Sequence, residues 1–366
     1  MWMRRVEVRV FQKDDPSKQT IFKSHRIDFA VRSTVGWPAD TADITLYNLS
    51  LDEIKFLQSK NYGEMYIEIR AAYADSASSA DYQRMGGVRQ ITTSSGQKTN
   101  ITVGKAVLPT IFSGIITNAV GYRRPPEHIT QLFCISKAYG SSTDFKQMKA
   151  IPKGTSLQSA IRSMCEDYGF GTVSMYGVDG DLLNETLKLG RTFHDTFLIE
   201  FKKLLGEYNL MYTMTTGEIQ IFPDPYGDRD AVDRMSKDRE PIKLDANAVI
   251  GNPIAGICTY SLSTFLNPAI QPGMVLDVSP LLGKKLLANG VTAISGEGVV
   301  LNTDQSIFRW AMKDKYFIMD VVHHGSTHTK EYQTSLTAIL GGNTAMGGRE
   351  AAWQQLYANS GMSMEL

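Results

Sequence analysis

The chain has 366 residues, 42% of them hydrophobic, and its 38 basic and 38 acidic side chains give a formal net charge of zero. That length predicts two or three domains, and the lack of a cationic excess excludes a chain-wide grip on nucleic-acid phosphates. The cysteines Cys134, Cys165 and Cys258 form no CxxC pair and read as reduced thiols, no run of about 18 apolar residues predicts a membrane span, and MWMRRVEVRVF lacks the apolar centre of a secretory signal.

Val6, Val8 and Val10 alternate with Glu7 and Arg9, which puts the valines on one face of a strand. Ile27, Phe29 and Val31 repeat the pattern, and ADITLYNLS (42–50) continues it. A short helix follows, with Ser50 as its cap and Leu51, Ile54 and Leu57 on one side. MYIEIRAAY is a further strand. From Asp75 to Gly104 the composition turns to Ser, Thr, Gly and Gln, which marks a polar excursion from a compact domain. PTIFSGIITNAV and ITQLFCIS then read as two strands joined by a polar turn holding Pro125 and Pro126.

Between about Lys146 and Pro223 the apolar period becomes helical. Leu157, Ala160, Ile161, Met164, Cys165 and Tyr168 share one face after a Thr155 or Ser156 cap, and Phe197, Phe201, Leu204, Leu205 and Tyr208 share another. LMYTMTTGEIQIFP reads as a hairpin with Thr216 and Gly217 at its turn. The charged, proline-bounded stretch PDPYGDRDAVDRMSKDREP reads as a solvated linker. Strand patterns return in IAGICTYSLST, GMVLDVS, KYFIMDVVHH and YQTSLTAIL. A final helix candidate, REAAWQQLYANS, gathers Trp353, Leu356 and Tyr357 on one side, a stripe too short to be stable undocked.

The expected organisation is therefore β-rich (α+β). It comprises a β-domain over 1–145, a small α/β insertion domain over 146–225, a charged linker over 226–245, a second β-domain over 246–342 and a C-terminal tail over 343–366 with a helical segment. Phe112 to Ile135 and Phe317 to Leu340 have equal lengths and the same plan of strand, polar turn and strand, which suggests a duplicated β-domain.

Reactive constellations are scarce. His323 and His324 are adjacent, so a regular strand sends them to opposite faces, and His328 falls in the turn. HHxxxH matches no helical zinc signature, and solvated turn histidines are expected. Asp179, Asp181 and Glu185 fail a calcium loop because Leu183 holds the fifth position. Glu166 and Asp167 end a helix as surface groups. No nucleophile elbow, phosphate loop or dinucleotide fingerprint occurs. No catalytic, cofactor-binding or metal-ligating residue is assigned, and no cofactor or enzymatic activity is expected. Arg123 and Arg124, with His128, form a small basic spot at a turn and are candidates for partner contact, as are Trp353, Leu356 and Tyr357. Two other function classes compete: a metal-dependent hydrolase using His323, His324 and His328, and a monomeric β-rich ligand-binding module.

DTADITLYNLSLDEIKFL, PTIFSGIITNA, AGICTYSLSTFLNPAIQPGMVLDVS and YFIMDVVHHGSTHTKEYQTSLTAI together resemble the baseplate hub family of contractile-tailed bacteriophages, across roughly Arg4 to Leu340. The hub region of type VI secretion spike proteins belongs to the same group. The resemblance implies two tube-like β-barrel domains flanking the α/β insertion. It implies a homotrimer whose six barrels form a pseudo-sixfold ring between a hexameric tail tube and a trimeric central spike. The implied partners are the tail tube protein, the central spike protein and other baseplate proteins, with DNA passing through the lumen without specific binding and no membrane insertion. The implied place is the virion tail baseplate, after synthesis in the host cytoplasm. The chain departs from some relatives in lacking a lysozyme-like segment and in the length of the 75–104 excursion.

Overall fold

Alternating segments become strands and helically spaced segments become helices in the computed structural model, which describes residues 4–36, 40–60, 64–73, 88–92, 98–102, 108–136, 149–167, 172–215, 218–228, 230–255, 259–281, 292–295, 298–301 and 315–341. The first part of the chain forms β1 (Arg4–Gln12), β2 (Gln19–Phe22), β3 (Ile27–Thr34), β4 (Thr41–Tyr47), α1 (Leu51–Leu57), β5 (Met65–Tyr73), β6 (Val88–Thr92), β7 (Lys98–Thr102), β8 (Thr110–Arg124) and β9 (Glu127–Ser136). The middle forms β10 (Lys149–Ile151), α2 (Leu157–Asp167), β11 (Thr172–Met175), α3 (Gly180–Asn184), β12 (Arg191–Phe193), α4 (Phe197–Glu207), β13 (Leu210–Thr215), β14 (Glu218–Pro223) and α5 (Ala231–Asp238). The last part forms β15 (Ile242–Lys243), β16 (Val249–Ala255), β17 (Thr259–Phe265), β18 (Val275–Asp277), β19 (Thr292–Ser295), β20 (Gly298–Leu301), β21 (Lys315–Ser326) and β22 (Tyr332–Ile339).

The local rules hold where they were expected. Val6, Val8 and Val10 are buried while Glu7 and Arg9 face outward. Ser50 and Glu53 form a reciprocal capping box at α1. Ser156 Oγ accepts the Ser159 N–H at the start of α2.

A 13-stranded sheet runs in the order β16-β17-β22-β21-β3-β4-β9-β8-β5-β1-β2, with β18 also on β21 and β15 on β18. Within it one plan occurs twice. In the first half the pairing order is β3-β4-β9-β8-β5, and in the second it is β16-β17-β22-β21-β18. The chain order also matches. Each half has two hairpin strands, a third strand, a small separate ribbon (β6–β7 or β19–β20) and then a long hairpin.

The registers match around the long hairpins. In the long hairpins the register slips once, between Ile116 and Asn118 in β8 and between Ile318 and Asp320 in β21. Aligning these bulges puts Ile115 with Phe317, whose next-strand partners are Tyr66 and Val275. It also puts Cys134 with Ala338, whose outer neighbours are Ala42 and Tyr260.

The halves join through β21. Its base pairs with β18 from Lys315 to Phe317; beyond the bulge the same edge pairs with β3, from Asp320 opposite Thr34 to Ser326 opposite Asp28. Val35 N donates to Met319 O (2.9 Å) at the changeover. Arg32 Nε donates to Asp320 Oδ1 (3.1 Å) across the joint.

The α/β module builds its core from Leu157, Ile161, Phe197, Phe201, Ile219 and Ile221, between α2, α4 and the β11-β14-β13 sheet. The stretch 226–245, expected as a solvated linker, is instead partly core. Ala231, Val232 and Met235 of α5 are buried with Phe222, Phe317 and Met319. The spacing of those three puts them on one side of a helix, under a charged outer face. Gly177, at φ +66°, lets α5 sit close, because a Cβ there would meet Met235 Cγ at 2.6 Å.

Candidate assembly surface

The histidine-bearing segment is a hairpin, as its pattern predicts, but its histidines are not all solvated. His323 is 4% exposed, next to the more open His324 and the exposed His328. Strand alternation explains the difference: His323 shares the buried face with Val321, and His324 takes the opposite face. His323 Nδ1 lies 2.9 Å from Thr334 Oγ1, and the ring also bonds the backbone of Ile270. Burial pushes its pKa down to about 4. Burial also lowers that of His324, with Glu331 opposing. Among the described residues no three His, Cys, Asp or Glu side chains converge as a metal site.

The other acidic candidates have structural duties. Asp179 caps α3 by accepting the Asp181 N–H (3.0 Å), and Glu185 is the C-cap of the same helix. Glu166 and Asp167 close α2. Cys134 and Cys165 are buried free thiols. Burial pushes both up, Cys165 to about 12, so neither is poised as a thiolate. Cys258 lies outside the described residues, as do Tyr168, Thr216, Gly217 and the tail candidates Trp353, Leu356 and Tyr357.

Sequence reasoning missed Asp40. It is buried, and burial raises its carboxyl to about 8 against hydrogen bonds from Ser33 and Thr34. It lies beside Asp320, whose own pKa burial raises against the Arg32 guanidinium. No local motif marks Asp40: Ser33 and Thr34 are near it in the chain, but Asp320 comes from a strand distant in sequence.

Arg123 and Arg124 end β8, beside the two-residue turn at Pro125 and Pro126, and stand opposite His128 and Glu127. They belong to a longer feature. Strand β5 covers β8 only from Thr110 to Ile115, and past the bulge the outer edge of Ala119–Arg124 has no strand partner among the described residues. Val120 is 40% and Tyr122 48% exposed. The loss of alternation in TNAVGYRR was the readable signal for this edge. A second edge without a strand partner among the described residues lies at the far end of the sheet order, on β16 past Val249, with Ile250 and Ile254 exposed. The β19–β20 ribbon passes beside β16 without joining its ladder. Such edges present unpaired backbone donors and acceptors and invite another strand.

No protein-family model matches the chain, and no curated protein does. Solved structures do match. A tail protein from Neisseria meningitidis MC58 superposes with a TM-score of 0.51 at 10% identity, covering 92% of this chain and 97% of that one. The 43 kDa tail protein of prophage MuSo2 from Shewanella oneidensis gives a TM-score of 0.46 at 8% identity, covering 91% and 96%. An Escherichia coli component of the type VI secretion system, described as similar to T4 bacteriophage tail proteins gp27 and gp5, gives 0.44 at 10% identity, covering 86% and 73%. The chain thus shares the fold of the Neisseria tail protein over nearly its whole length. The matched structures are described as a tail protein, a prophage tail protein and a type VI secretion component.

Proposed function

We propose that the chain is a structural subunit of a tail baseplate, a trimeric hub that adapts a hexameric tube to a trimeric spike. The observation that carries this reading is the duplication: two halves with one strand order and the same bulge in their long hairpins, placed side by side in a single sheet. Three copies of a two-fold repeat present six similar units, which suits a sixfold neighbour, while the chain itself repeats three times, which suits a threefold one. In this reading each half closes as a tube-like barrel, residues 1–145 and 246–342 being the two domains and 146–225 the insertion. The Neisseria tail protein's shared fold supports the tail assignment.

The chemistry of the chain suits a part whose product is shape. Its charge is balanced, its buried histidine is engaged in hydrogen bonds and its buried thiols are held protonated. The proposed partners are the tube protein, the spike and other baseplate proteins. Trp353, Leu356, Tyr357, Arg123 and Arg124 are the proposed contacts, and DNA passes through the bore without specific binding. Sedimentation velocity on the purified chain, with electron microscopy of the same sample, tests the reading. The expected result is a three-copy particle with six lobes around an open bore. A stable monomer at the highest soluble concentration, or a particle whose copy number is not three, overturns it.

A further inference from the structure

The two open edges are related by the repeat. With the bulges of β8 and β21 aligned, Gly121 and Tyr122 take the positions of His323 and His324. In the second half those positions are covered: His323 pairs with Val31 and His324 with Ala30 of β3. The strand equivalent to β3 is β16. Ala30 stands opposite Asp43, which stands opposite Phe133; Ile254 stands opposite Ser261, which stands opposite Thr337. Phe133 and Thr337 in turn face the first residue past each bulge. The first half therefore has an edge with the register to accept a β16, and the second half has a β16 whose outer side carries no ladder partner among the described residues. Within one chain β16 ends the sheet order while β8 lies between β9 and β5 beyond the β21–β3 joint, and the two do not pair with each other.

We infer that, in the ring proposed above and resting on that reading, β16 of one copy pairs antiparallel with β8 of the next past its bulge, with Tyr122 opposite Ile254 and Gly121 opposite Ala255. The junction within the chain would thus be repeated between chains. The exposed side chains support this. Of the nine large apolar residues exposed among the described residues, four sit on these two edges: Val120, Tyr122, Ile250 and Ile254. Directly opposed residues in a ladder project to the same face, so Tyr122 and Ile254 would cover each other. Between Ile250 and Ile254 β16 advances four residues while β17 moves two, from Ser263 to Ser261. The inferred ladder therefore begins at Ile254 and Ala255, beyond that irregularity. The contact is heterologous: each copy offers β8 to one neighbour and β16 to the other, as ring closure requires.

Opposed residues in an antiparallel ladder have Cα separations that a disulfide can bridge. The full chain carrying Tyr122→Cys and Ile254→Cys, mildly oxidised and run on denaturing gels, should give covalent species up to three copies that collapse on reduction. The unsubstituted chain and each single variant should not form this series. A control with His324→Cys and Ala30→Cys should close within one chain and leave its mass unchanged. In parallel, Tyr122→Lys should weaken self-association by about tenfold or more in sedimentation, since a charge on an edge blocks pairing. If the chain sediments as a trimer and the control closes, but the Tyr122–Ile254 pair does not cross-link or Tyr122→Lys associates unchanged, the edge pairing is overturned and the ring reading survives. A monomer at every concentration overturns the ring reading and the pairing with it.

Discussion

His323 and Thr334 form a closed hydrogen-bond set inside the second half. The ring's bond to the Ile270 backbone carbonyl uses its one N–H in the neutral form, so Nδ1 accepts and Thr334 Oγ1 donates. Thr334 Oγ1 also accepts the Asn267 N–H at 2.9 Å, and the residue is fully buried. Thr334→Val leaves a buried acceptor and a buried donor without that partner and should cost about 2–4 kcal/mol in urea unfolding, whereas Thr334→Ser should cost far less. Protonation breaks the same set. The folded pKa of about 4 lies below the ordinary 6.5, so the contribution of His323 to stability is intact above pH 6.5 and is lost as pH falls from 6.5 toward 4. His323→Gln should flatten that acid-side loss in a series of melting temperatures against pH. Asp40 has the opposite sign. Its folded pKa of about 8 lies above the ordinary 3.8, so its contribution is full below pH 3.8 and is lost as pH rises through about 8. Asp40→Asn should therefore gain stability over the parent chain progressively from pH 4 to pH 8 and level off above that. A gain that does not change with pH would contradict a protonated Asp40.

Helix α5 shows where local pattern ends and tertiary context begins. Met235 is 2% exposed and packs with Phe222, Phe317 and Met319, so the helix links the α/β module to the base of β21. Arg234 reinforces it by donating to Gly177 O (3.0 Å) and pairing with Asp228. Met235→Ala should cost about 2–5 kcal/mol, the range for truncating a buried Met, while exposed Lys237→Ala should fall within about 0.5 kcal/mol. Limited proteolysis should spare 231–238, where a solvated linker would be cut. The linker reading arose because eight residues with only three apolar positions look like any charged loop. The longer periodic elements were legible: the valine alternation of β1, the capping box of α1, the Phe197–Leu205 face of α4 and both long hairpins. The equal lengths of those hairpins also hinted at the duplication. The burial of His323 and the pairing partner of β21 were not legible, because β3 lies almost 300 residues away and period two does not name the strand alongside.

At the scale of the molecule, everything the halves transmit to each other through the sheet passes along β3 and β21. The joint is anchored at three points. Arg32 and Asp320 pair across it. Thr327 N donates to Ile27 O (3.0 Å) at its far end. The tip of the β21–β22 hairpin is clamped to β1 and β5: Arg4 donates to Ser326, Thr329 and Lys330 carbonyls, Tyr73 Oη donates to Tyr332 O (2.8 Å), and Tyr332 Oη reaches Arg5 O (2.9 Å) and Ala72 O (3.1 Å). These contacts tie the two halves together at several points, and the proposed ring needs such a joint if each angle inside a chain is to match each angle between chains. Asp320→Ala removes the carboxylate that holds Arg32 and leaves a partly buried guanidinium without that partner. It should cost about 1–3 kcal/mol, below the range for a fully buried pair because both side chains keep some contact with water. Arg32→Met, which also removes the buried charge, should recover part of that loss in the double variant. If the joint sets the ring angle, Asp320→Ala should also broaden the particle's mass distribution in sedimentation while Lys237→Ala does not. A destabilised chain that still assembles with an unchanged, narrow mass would separate the stability of the joint from the geometry of the ring.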